Sequence, residues 1–406
     1  MATGNSRTNL AGKYATIVAA VWITLVPVWG SRQGMPDPGE LMFIDLEKNR
    51  IEDGTESLQG FYDRLFELEE RGQGRAVVLH LGDSHVEAGY LTGAVRTALQ
   101  QEFGCAGPGW ITPKALVPGR RKGQFVRASL EKPQPFSVAE FRIALKDDDP
   151  SPGFSRMVFF HNKGAEYQDF QVLDTSKRLL GIARSSSDQG PANATIVDLP
   201  VVAREVVVRT LKTSKGQRLV QLSGLSLEGE GPGVLYHSWG INGATTDTFN
   251  RSVILPGLLA VTQPDLVIVS LGTNDAVGKR FKEELFAVSL LTLIEEIRAG
   301  WPAAAVLITT PSDSFYRRTR RAKPVVNPMV GVVRSTMLRL GPSAHVSTWD
   351  LFSVMGSAGS IQTWKKNALA GADLVHFTKE GYQLQGRLLF EALMDGYRNY
   401  AKVRSR

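Results

Sequence analysis

The sequence has few of the residues that mark disulfide-rich or metal-binding proteins. Its 406 residues include a single cysteine, Cys105, so no disulfide can form within the chain. It has no zinc-ligand array of Cys and His, no phosphate-binding P-loop and no aromatic-rich RNA-binding signature. A Gly-x-Ser-x-Gly turn is also absent. These absences argue against nucleic acid as the partner and against the ordinary α/β-hydrolase mechanism.

The bulk composition is that of a globular protein with a basic surface. The chain is 43% hydrophobic and 21% charged, and its length suits two domains or one large domain with an insertion. Its net charge of +7 and pI near 9.4 favour acidic partners, such as anionic lipid or an acidic glycan polymer.

The N-terminus carries an export pattern. Residues 14–29 contain no charge, and Arg7 and Lys13 precede them. A positive region followed by an apolar segment predicts export. Cleavage after this segment and its retention as an anchor in the inner membrane both remain open. Residues 1–40 are therefore interpreted as a signal peptide or anchor with a linker.

The rest of the chain contains two kinds of sequence pattern, one typical of α/β structure and one typical of β-strands alone. Residues 75–81 form an apolar run typical of a buried parallel strand, and a helical pattern from Val86 to Gly104 follows. Between 123 and 232, short alternating segments separated by Gly, Pro, Asp and Ser predict a jelly-roll-like β-sandwich. Strands and helices alternate again from 233 to 406, with HVSTWDLFS predicted as extended. The sequence thus predicts an α/β domain, 41–122 and 233–406, interrupted by an all-β insertion.

The segment VVLHLGDSHVEAGY, which begins at Val77, ends a strand in Gly-Asp-Ser-His. Ser84 would lie at the carboxyl end of the strand and at the start of a helix, near unpaired backbone N–H groups and the positive end of the helix dipole. This position suits a nucleophile whose substrate develops an oxyanion. Alternatively, Asp83 or Ser84 only caps the helix.

Three further segments carry candidate residues. DLVIVSLGTND ends a strand with Asn274, whose amide would share the Ser84 edge of the sheet and could donate to an oxyanion; otherwise it forms a turn. In DLVH, Asp373 is spaced to orient His376. In WGINGATTDTF, Gly243 could present its backbone N–H to a ligand.

In this order, the four segments resemble the blocks of the SGNH, or GDSL, hydrolase family. The matching residues are Ser84 in GDSH, Gly243 in INGATT, Asn274 in GTND and His376 in DLVH. The resemblance implies a three-layer α/β/α fold with a parallel sheet, in which the two α/β parts form the catalytic domain.

Two departures from the common pattern resemble the peptidoglycan O-acetylesterase branch of that family. His85 replaces the Leu of the GDSL motif, and the long gap between Ser84 and Gly243 leaves room for a carbohydrate-binding-like sandwich. The segment GCAGPGW, which ends at Trp110, is similar to a Gly-Trp segment of the branch.

The resemblance implies a periplasmic serine esterase that removes acetyl groups from the 6-hydroxyl of N-acetylmuramic acid in peptidoglycan. Ser84, Asp373 and His376 would be the catalytic triad, and Ser84, Gly243 and Asn274 the oxyanion hole. Asp83, His85 and Trp110 would support these residues or contact the substrate. No cofactor or metal is implied. A polysaccharide O-acetyltransferase and a non-catalytic glycan-binding protein remain as alternatives.

The Ser84 segment also has features of a metal-dependent site. Asp83-x-His85, with His80 nearby, would suit a calcineurin-like phosphoesterase. The remaining blocks of that family are missing: GTND is not Gly-Asn-His, and no His-x-His occurs. His80 is therefore interpreted as a packed strand residue.

Two basic clusters bear on the substrate. One lies within SFYRRTRRAKP, residues 314–324, and the other is formed by Arg120, Arg121 and Lys122. If they rim the crevice, they would attract an anionic polymer such as peptidoglycan; otherwise they are solvated loops.

Overall fold

The computed structural model describes residues 42–111, 126–130, 140–147, 149–185, 193–277, 281–317 and 322–406, with the backbone alone at 126–130. The predicted signal or anchor segment at 1–40 and the basic cluster at 120–122 lie outside these ranges. Within them, every helix is too short or too polar to cross a membrane.

A six-stranded sheet forms the centre of the α/β part. Its strands are β1 (Ile51–Glu52), β2 (Arg75–Gly82), β12 (Gly233–Gly240), β13 (Leu266–Ser270), β14 (Ala305–Thr309) and β17 (Ser347–Trp349). Their order is β1-β17-β14-β13-β2-β12, and all neighbours are parallel except β1 and β17. The central strands are apolar because both faces of the sheet are covered.

Helices cover both faces of this sheet, which gives the predicted three-layer α/β/α fold. The helices are α1 (Gln59–Arg71), α2 (Ser84–Glu87), α3 (Tyr90–Phe103), α4 (Thr246–Asn250), α5 (Leu255–Thr262), α6 (Glu283–Gly300), α7 (Pro328–Ser343), α8 (Leu351–Val354), α9 (Ser360–Lys366) and α10 (Lys379–Arg404), with a 3-10 turn at Leu46–Lys48. Helices α1, α3 and α10 pack on the face that carries Val78. Helices α4 to α7 pack on the face that carries Leu79. Successive strand residues point to opposite faces, so one strand supplies both cores.

Two antiparallel sheets form the β-rich part, as predicted. One has the order β4-β5-β10-β7-β8 and the other β3-β11-β6-β9. Their strands are β3 (Gly109–Ile111), β4 (Val126–Leu130), β5 (Glu140–Leu145), β6 (Phe154–Phe160), β7 (Asp169–Leu173), β8 (Leu179–Ala183), β9 (Ala194–Ala203), β10 (Glu205–Leu211) and β11 (Gly224–Glu228). A separate hydrophobic core joins the sheets, with Ile143 and Val208 from one and Phe159 and Leu225 from the other. The exact domain boundaries remain a prediction.

Two local predictions differ from the structure. The helix expected from Val86 to Gly104 is divided, because Gly89 takes a left-handed conformation (φ 74°) between α2 and α3. Its predicted end is confirmed, since Gly104 is the C-cap of α3. HVSTWDLFS is extended only in β17, because the Asp350 side chain accepts a hydrogen bond from the Ser353 N–H and so caps α8.

The chain leaves the α/β part and returns to it at adjacent points. The Val234 N–H donates to the Gly104 carbonyl (2.8 Å), and the Ala106 N–H donates to the Val234 carbonyl (3.2 Å). At this junction Arg96 of α3 donates to Asp149 in the β-rich part (2.9 Å), and the two side chains are 6% and 1% exposed. A second Arg96 nitrogen donates to the Pro108 carbonyl (2.7 Å). This ion pair links the two parts inside the protein.

Replacing Asp149 by Ala should destabilise the protein by about 3–5 kcal/mol, because the buried Arg96 charge loses its carboxylate. Urea denaturation of wild type and variant measures this change. Asp198→Ala is the matched control, since its partner Arg156 is solvent-exposed; it should change the free energy of unfolding by at most about 1 kcal/mol. If both variants lowered the free energy of unfolding equally, the buried ion pair would not stabilise the protein more than the exposed one.

Two histidines of the central sheet are fully buried. His237 of β12 has no hydrogen-bond partner among the described residues, whereas His80 of β2 lies close to Tyr236 Oη (2.6 Å) and Ser270 Oγ (2.7 Å). Burial lowers the pKa of each from 6.5 to about 3. Between these values the unfolded chain binds protons that the folded protein excludes, so folding stability falls as the pH falls from 6.5 towards 3.

His237→Phe should therefore flatten the loss of stability between pH 6.5 and 4, because it removes one such group and no hydrogen bond to a described residue. The midpoint of urea denaturation as a function of pH tests this. His345→Asn changes an exposed histidine with φ 52°, a conformation that Asn tolerates, and should leave the slope unchanged. An unchanged slope in His237→Phe would show that other groups control acid stability.

Candidate active site

The predicted residues meet at one edge of the parallel sheet. Strand β2 leads to Ser84, β12 to the turn that carries Gly243, and β13 to Asn274. Because parallel strands end at the same edge, these turns become neighbours. The loop that carries His376 precedes α10, which packs with α3 on the adjacent face of the sheet.

Close backbone packing fixes the turn that holds Ser84. A Cβ atom at Gly82 would lie 2.3 Å from the Val86 side chain and 2.8 Å from the Ser270 carbonyl. One at Gly240 would lie 2.1 Å from the Glu87 nitrogen. Glycine is required at both positions, since any side chain would push α2 away from the sheet.

Asp83 and Ser84 have separate roles in this turn. The Asp83 carboxylate accepts a hydrogen bond from the His85 N–H (3.0 Å) and so forms the N-cap of α2. The capping interpretation therefore applies to Asp83. The Ser84 hydroxyl lies 3.0 Å from His376 Nε2.

A short loop presents His376 to Ser84. The Nδ1 of His376 lies 2.8 Å from Asp373 Oδ2, while Asp373 Oδ1 accepts bonds from the N–H groups of Val375 (3.1 Å) and His376 (3.0 Å). Between them, Leu374 has a positive φ of 58°, and its side chain is buried. Its carbonyl accepts a hydrogen bond from the Phe315 N–H (2.8 Å), which helps to hold this unfavourable conformation.

The environment keeps Asp373 ionised. Partial burial acts to raise the pKa of Asp373, but hydrogen bonds from the His376 ring and from the two backbone N–H groups outweigh it and lower the pKa. A carboxylate in this position selects the His376 tautomer and can stabilise an imidazolium. The side chains of His376 and Asp373 are 46% and 53% exposed, so the group is accessible from solvent.

Asn274 joins the turns on the other side of Ser84. Its Nδ2 donates to the Ala244 carbonyl (2.9 Å) and, over a longer distance of 3.3 Å, to Asp83 Oδ2. Gly243 has φ 75° and is exposed, with open space where a side chain would be. The structure thus brings Ser84, Asn274 and the Gly243 turn to one place.

The pair formed by Asp275 and Thr246 is part of the site but was not predicted from the sequence. Asp275 Oδ1 accepts bonds from the Thr246 N–H (3.1 Å) and Oγ1 (2.9 Å). Burial raises the pKa of Asp275, and the Thr246 bonds oppose that effect. The pair ties the Asn274 turn to α4, directly after Gly243. Asp275 could have been recognised from the sequence because it directly follows Asn274. No sequence pattern indicated Thr246.

The remaining predicted residues lie in different environments. His85 packs against His376, with ring centroids 5.3 Å apart. Trp110 is buried in the hydrophobic core, where it contacts Phe160 and Trp239 at 5.1 and 5.8 Å between centroids. Trp239 belongs to β12, the strand that leads to the Gly243 turn, so the expected role of Trp110 in support of the site stays a prediction.

The interpretation of His80 as a packed strand residue is confirmed by its full burial. Both of its ring nitrogens lie at hydrogen-bond distance from Tyr236 and Ser270, so it has no nitrogen available to join Asp83 and His85 around a metal ion. Across the described ranges, no three His, Cys, Asp or Glu side chains converge as metal ligands.

Comparison with known proteins agrees with this geometry. Residues 216–384 match the GDSL-like Lipase/Acylhydrolase family, a range that includes Gly243, Asn274, Asp373 and His376. No curated protein sequence matches the chain.

One solved structure shows the same fold over most of the chain, and two others align over a smaller part. A structure of a peptidoglycan O-acetylesterase aligns with a TM-score of 0.67 and 21% identity, covering 84% of this chain and 96% of that one. An aryl esterase of M. smegmatis (22% identity, TM-score 0.32) and a carbohydrate acetylesterase, Est24, of Sinorhizobium meliloti (18%, 0.31) each cover 40% of this chain and 79% of their own. The chain therefore carries, over residues 216–384, a domain that matches the GDSL-like lipase/acylhydrolase family.

Proposed function

We propose that the protein is a serine esterase that removes O-acetyl groups from peptidoglycan, at the 6-hydroxyl of N-acetylmuramic acid. The observation that carries this proposal is the chain of contacts from Asp373 through His376 to Ser84, with distances of 2.8 and 3.0 Å. A hydroxyl, a base and a carboxylate in this order form the machinery of acyl transfer.

In the proposed reaction, His376 Nε2 takes the Ser84 proton as Oγ attacks the acetyl carbonyl. The oxyanion accepts hydrogen bonds from the N–H groups of Ser84 and Gly243 and from Asn274 Nδ2. Asn274 can supply this donor because its bond to Asp83 is long (3.3 Å) and therefore weak. His376 then protonates the departing glycan oxygen. In the second half-reaction, water gives a proton to His376 as it attacks acetyl-Ser84, and acetate leaves as that proton returns to Ser84 Oγ.

Two observations support peptidoglycan as the substrate. The relative that aligns over 84% of this chain is a peptidoglycan O-acetylesterase, and it spans both the α/β part and the β-rich part. The export pattern of residues 14–29 is consistent with work in the periplasm. We further propose that the β-sandwich binds glycan strands.

A basic hairpin next to the His376 loop supports an anionic substrate. Strands β15 (Phe315–Tyr316) and β16 (Val325–Val326) pair, and Phe315 is bonded to Leu374 of that loop. Arg317, which donates to the Ala322 carbonyl (2.7 Å), and Lys323 extend from the hairpin into solvent. Arg317 and Lys323 form no ion pair with a described residue, so their charge is available to peptidoglycan carboxylates; residues 318–321 lie outside the described ranges.

Ser84→Ala should lower acetate release from purified O-acetylated peptidoglycan by at least about 10³-fold, because the nucleophile is lost. Wild-type activity should persist in EDTA. The matched control is Ser343→Ala, since Ser343 bonds only within α7 among the described contacts and should be dispensable.

Three outcomes would change the proposal. Activity lost in chelator would restore the metal-dependent mechanism. Cleavage of p-nitrophenyl acetate without acetate release from the polymer would keep the triad and refute the substrate. Acetyl transfer to a glycan hydroxyl in place of water would identify an O-acetyltransferase.

The double variant Arg317→Ala/Lys323→Ala should lower kcat/KM on peptidoglycan roughly tenfold at low salt, because electrostatic attraction of the polymer is lost. The difference should vanish near about 1 M salt, where screening removes it. Activity on neutral p-nitrophenyl acetate should stay unchanged. Lys402→Ala/Arg406→Ala is the control, since these cations lie at the far end of α10, whose 26 residues span about 39 Å. Equal effects of both pairs would refute a local role of the hairpin.

A further inference from the structure

His85 occupies a special position beside the proposed catalytic base. It follows Ser84 directly in α2 and is 9% exposed. Its ring faces the His376 ring with 5.3 Å between centroids and a tilt of 35°, while its edge meets Tyr382 at 5.7 Å. The His85 ring therefore lies between the base and the protein interior.

The His85 nitrogens differ in their surroundings. Nδ1 lies 2.9 Å from Tyr382 Oη. Nε2 is buried and has no hydrogen-bond partner among the described residues, and the same is true of Gln385 Nε2 and Ser312 Oγ. Buried polar atoms are nearly always satisfied, so three unpaired atoms in one region indicate a shared partner.

The three residues line one small cavity. Its volume is about 30 Å³, and Asp83 and Thr273 also line it, beneath the Ser84 turn. A space of this size is large enough for a buried water molecule, which typically forms about three hydrogen bonds. Nε2 of His85, Nε2 of Gln385 and Oγ of Ser312 match that requirement in number and chemistry.

The ring contact supplies support that His376 otherwise lacks. His376 lies on a loop and is half-exposed, and its side chain is bonded only to Asp373 and Ser84 among the described residues. Those two bonds lie in the plane of the ring. Contact with His85 restricts tilting out of that plane, which would move Nε2 away from Ser84.

His85 remains uncharged in this position. Burial lowers its pKa; Asp83 and Asp373 oppose this, and the neighbouring His376 lowers it further. A neutral ring can lie against an imidazolium without the repulsion that a second cation would cause.

We propose that His85 is a positioning residue that holds the His376 imidazole in line with Ser84 by contact between the rings. His85 is in turn fixed by Tyr382 and by a water molecule that Gln385 and Ser312 bind in the cavity. This inference rests on the proposed role of His376 as the catalytic base.

His85→Ala should lower kcat for p-nitrophenyl acetate by about 10- to 100-fold with little change in KM, because the base is misaligned. His85→Phe retains a ring face and should recover most of the lost kcat. The control is His161→Leu, which removes a buried histidine of the sandwich, at 2.8 Å from Thr195, and should change stability but not kcat.

Proton NMR gives a readout that does not depend on turnover. The low-field resonance of the proton between His376 and Asp373 should broaden or shift in His85→Ala and return in His85→Phe. An unchanged resonance in His85→Ala, or a kcat that His85→Phe does not restore, would overturn the ring-contact role. If the wild type has no esterase activity but the resonance still changes in His85→Ala, the esterase proposal is refuted, while the positioning of His376 by His85 remains supported.

A high-resolution crystal structure tests the water site. We expect ordered density within about 3.2 Å of His85 Nε2, Gln385 Nε2 and Ser312 Oγ. A cavity without ordered solvent, or side chains that pair directly with one another, would overturn that part of the inference.

Discussion

The close approach of three backbone turns at the carboxyl edge of the sheet is the constraint on which the site depends. Gly82 and Gly240 allow α2 to lie directly against β12 and β13, because a Cβ at either glycine would overlap neighbouring atoms at 2.3 and 2.1 Å. Only at this distance can the Asn274 amide reach both Ala244 and Asp83. The packing of the main chain thus determines where the reactive side chains lie.

The site combines residues that follow rigid strands with one residue on an exposed loop. Ser84 and Asn274 follow strands of the central sheet, whose neighbours fix them. His376 comes from a solvent-facing loop, and its position depends on hydrogen bonds to Asp373, on the left-handed Leu374 and on the face of His85. An open position of this kind suits the proposed polymer substrate, because a long chain cannot enter a closed pocket.

Much of this arrangement could be predicted from the sequence, because its signals are local. The apolar run of β2 and the order of the four motifs predicted the parallel sheet and the grouping of Ser84, Asn274 and His376. The left-handed conformation of Leu374 has no such signal, since the packing around it imposes the conformation on an ordinary residue. The packing of Trp110 has no local signal either, because its neighbours Phe160 and Trp239 are distant in sequence. Likewise, the cavity under His85 is lined in part by Gln385 and Leu389 of α10, at least 300 residues further along the chain.

The junction at Gly104 and Val234 has a consequence for the order in which the protein folds. These two residues are hydrogen-bonded neighbours, yet about 130 residues of the chain separate them. The edge of β2 that pairs with β12 therefore stays uncovered during synthesis until the whole sandwich has been made. A sandwich with its own hydrophobic core can fold first and bring its two ends together, which reduces the entropy lost when the sheet closes. The insertion would then act as an internal folding aid for the strand that precedes Ser84.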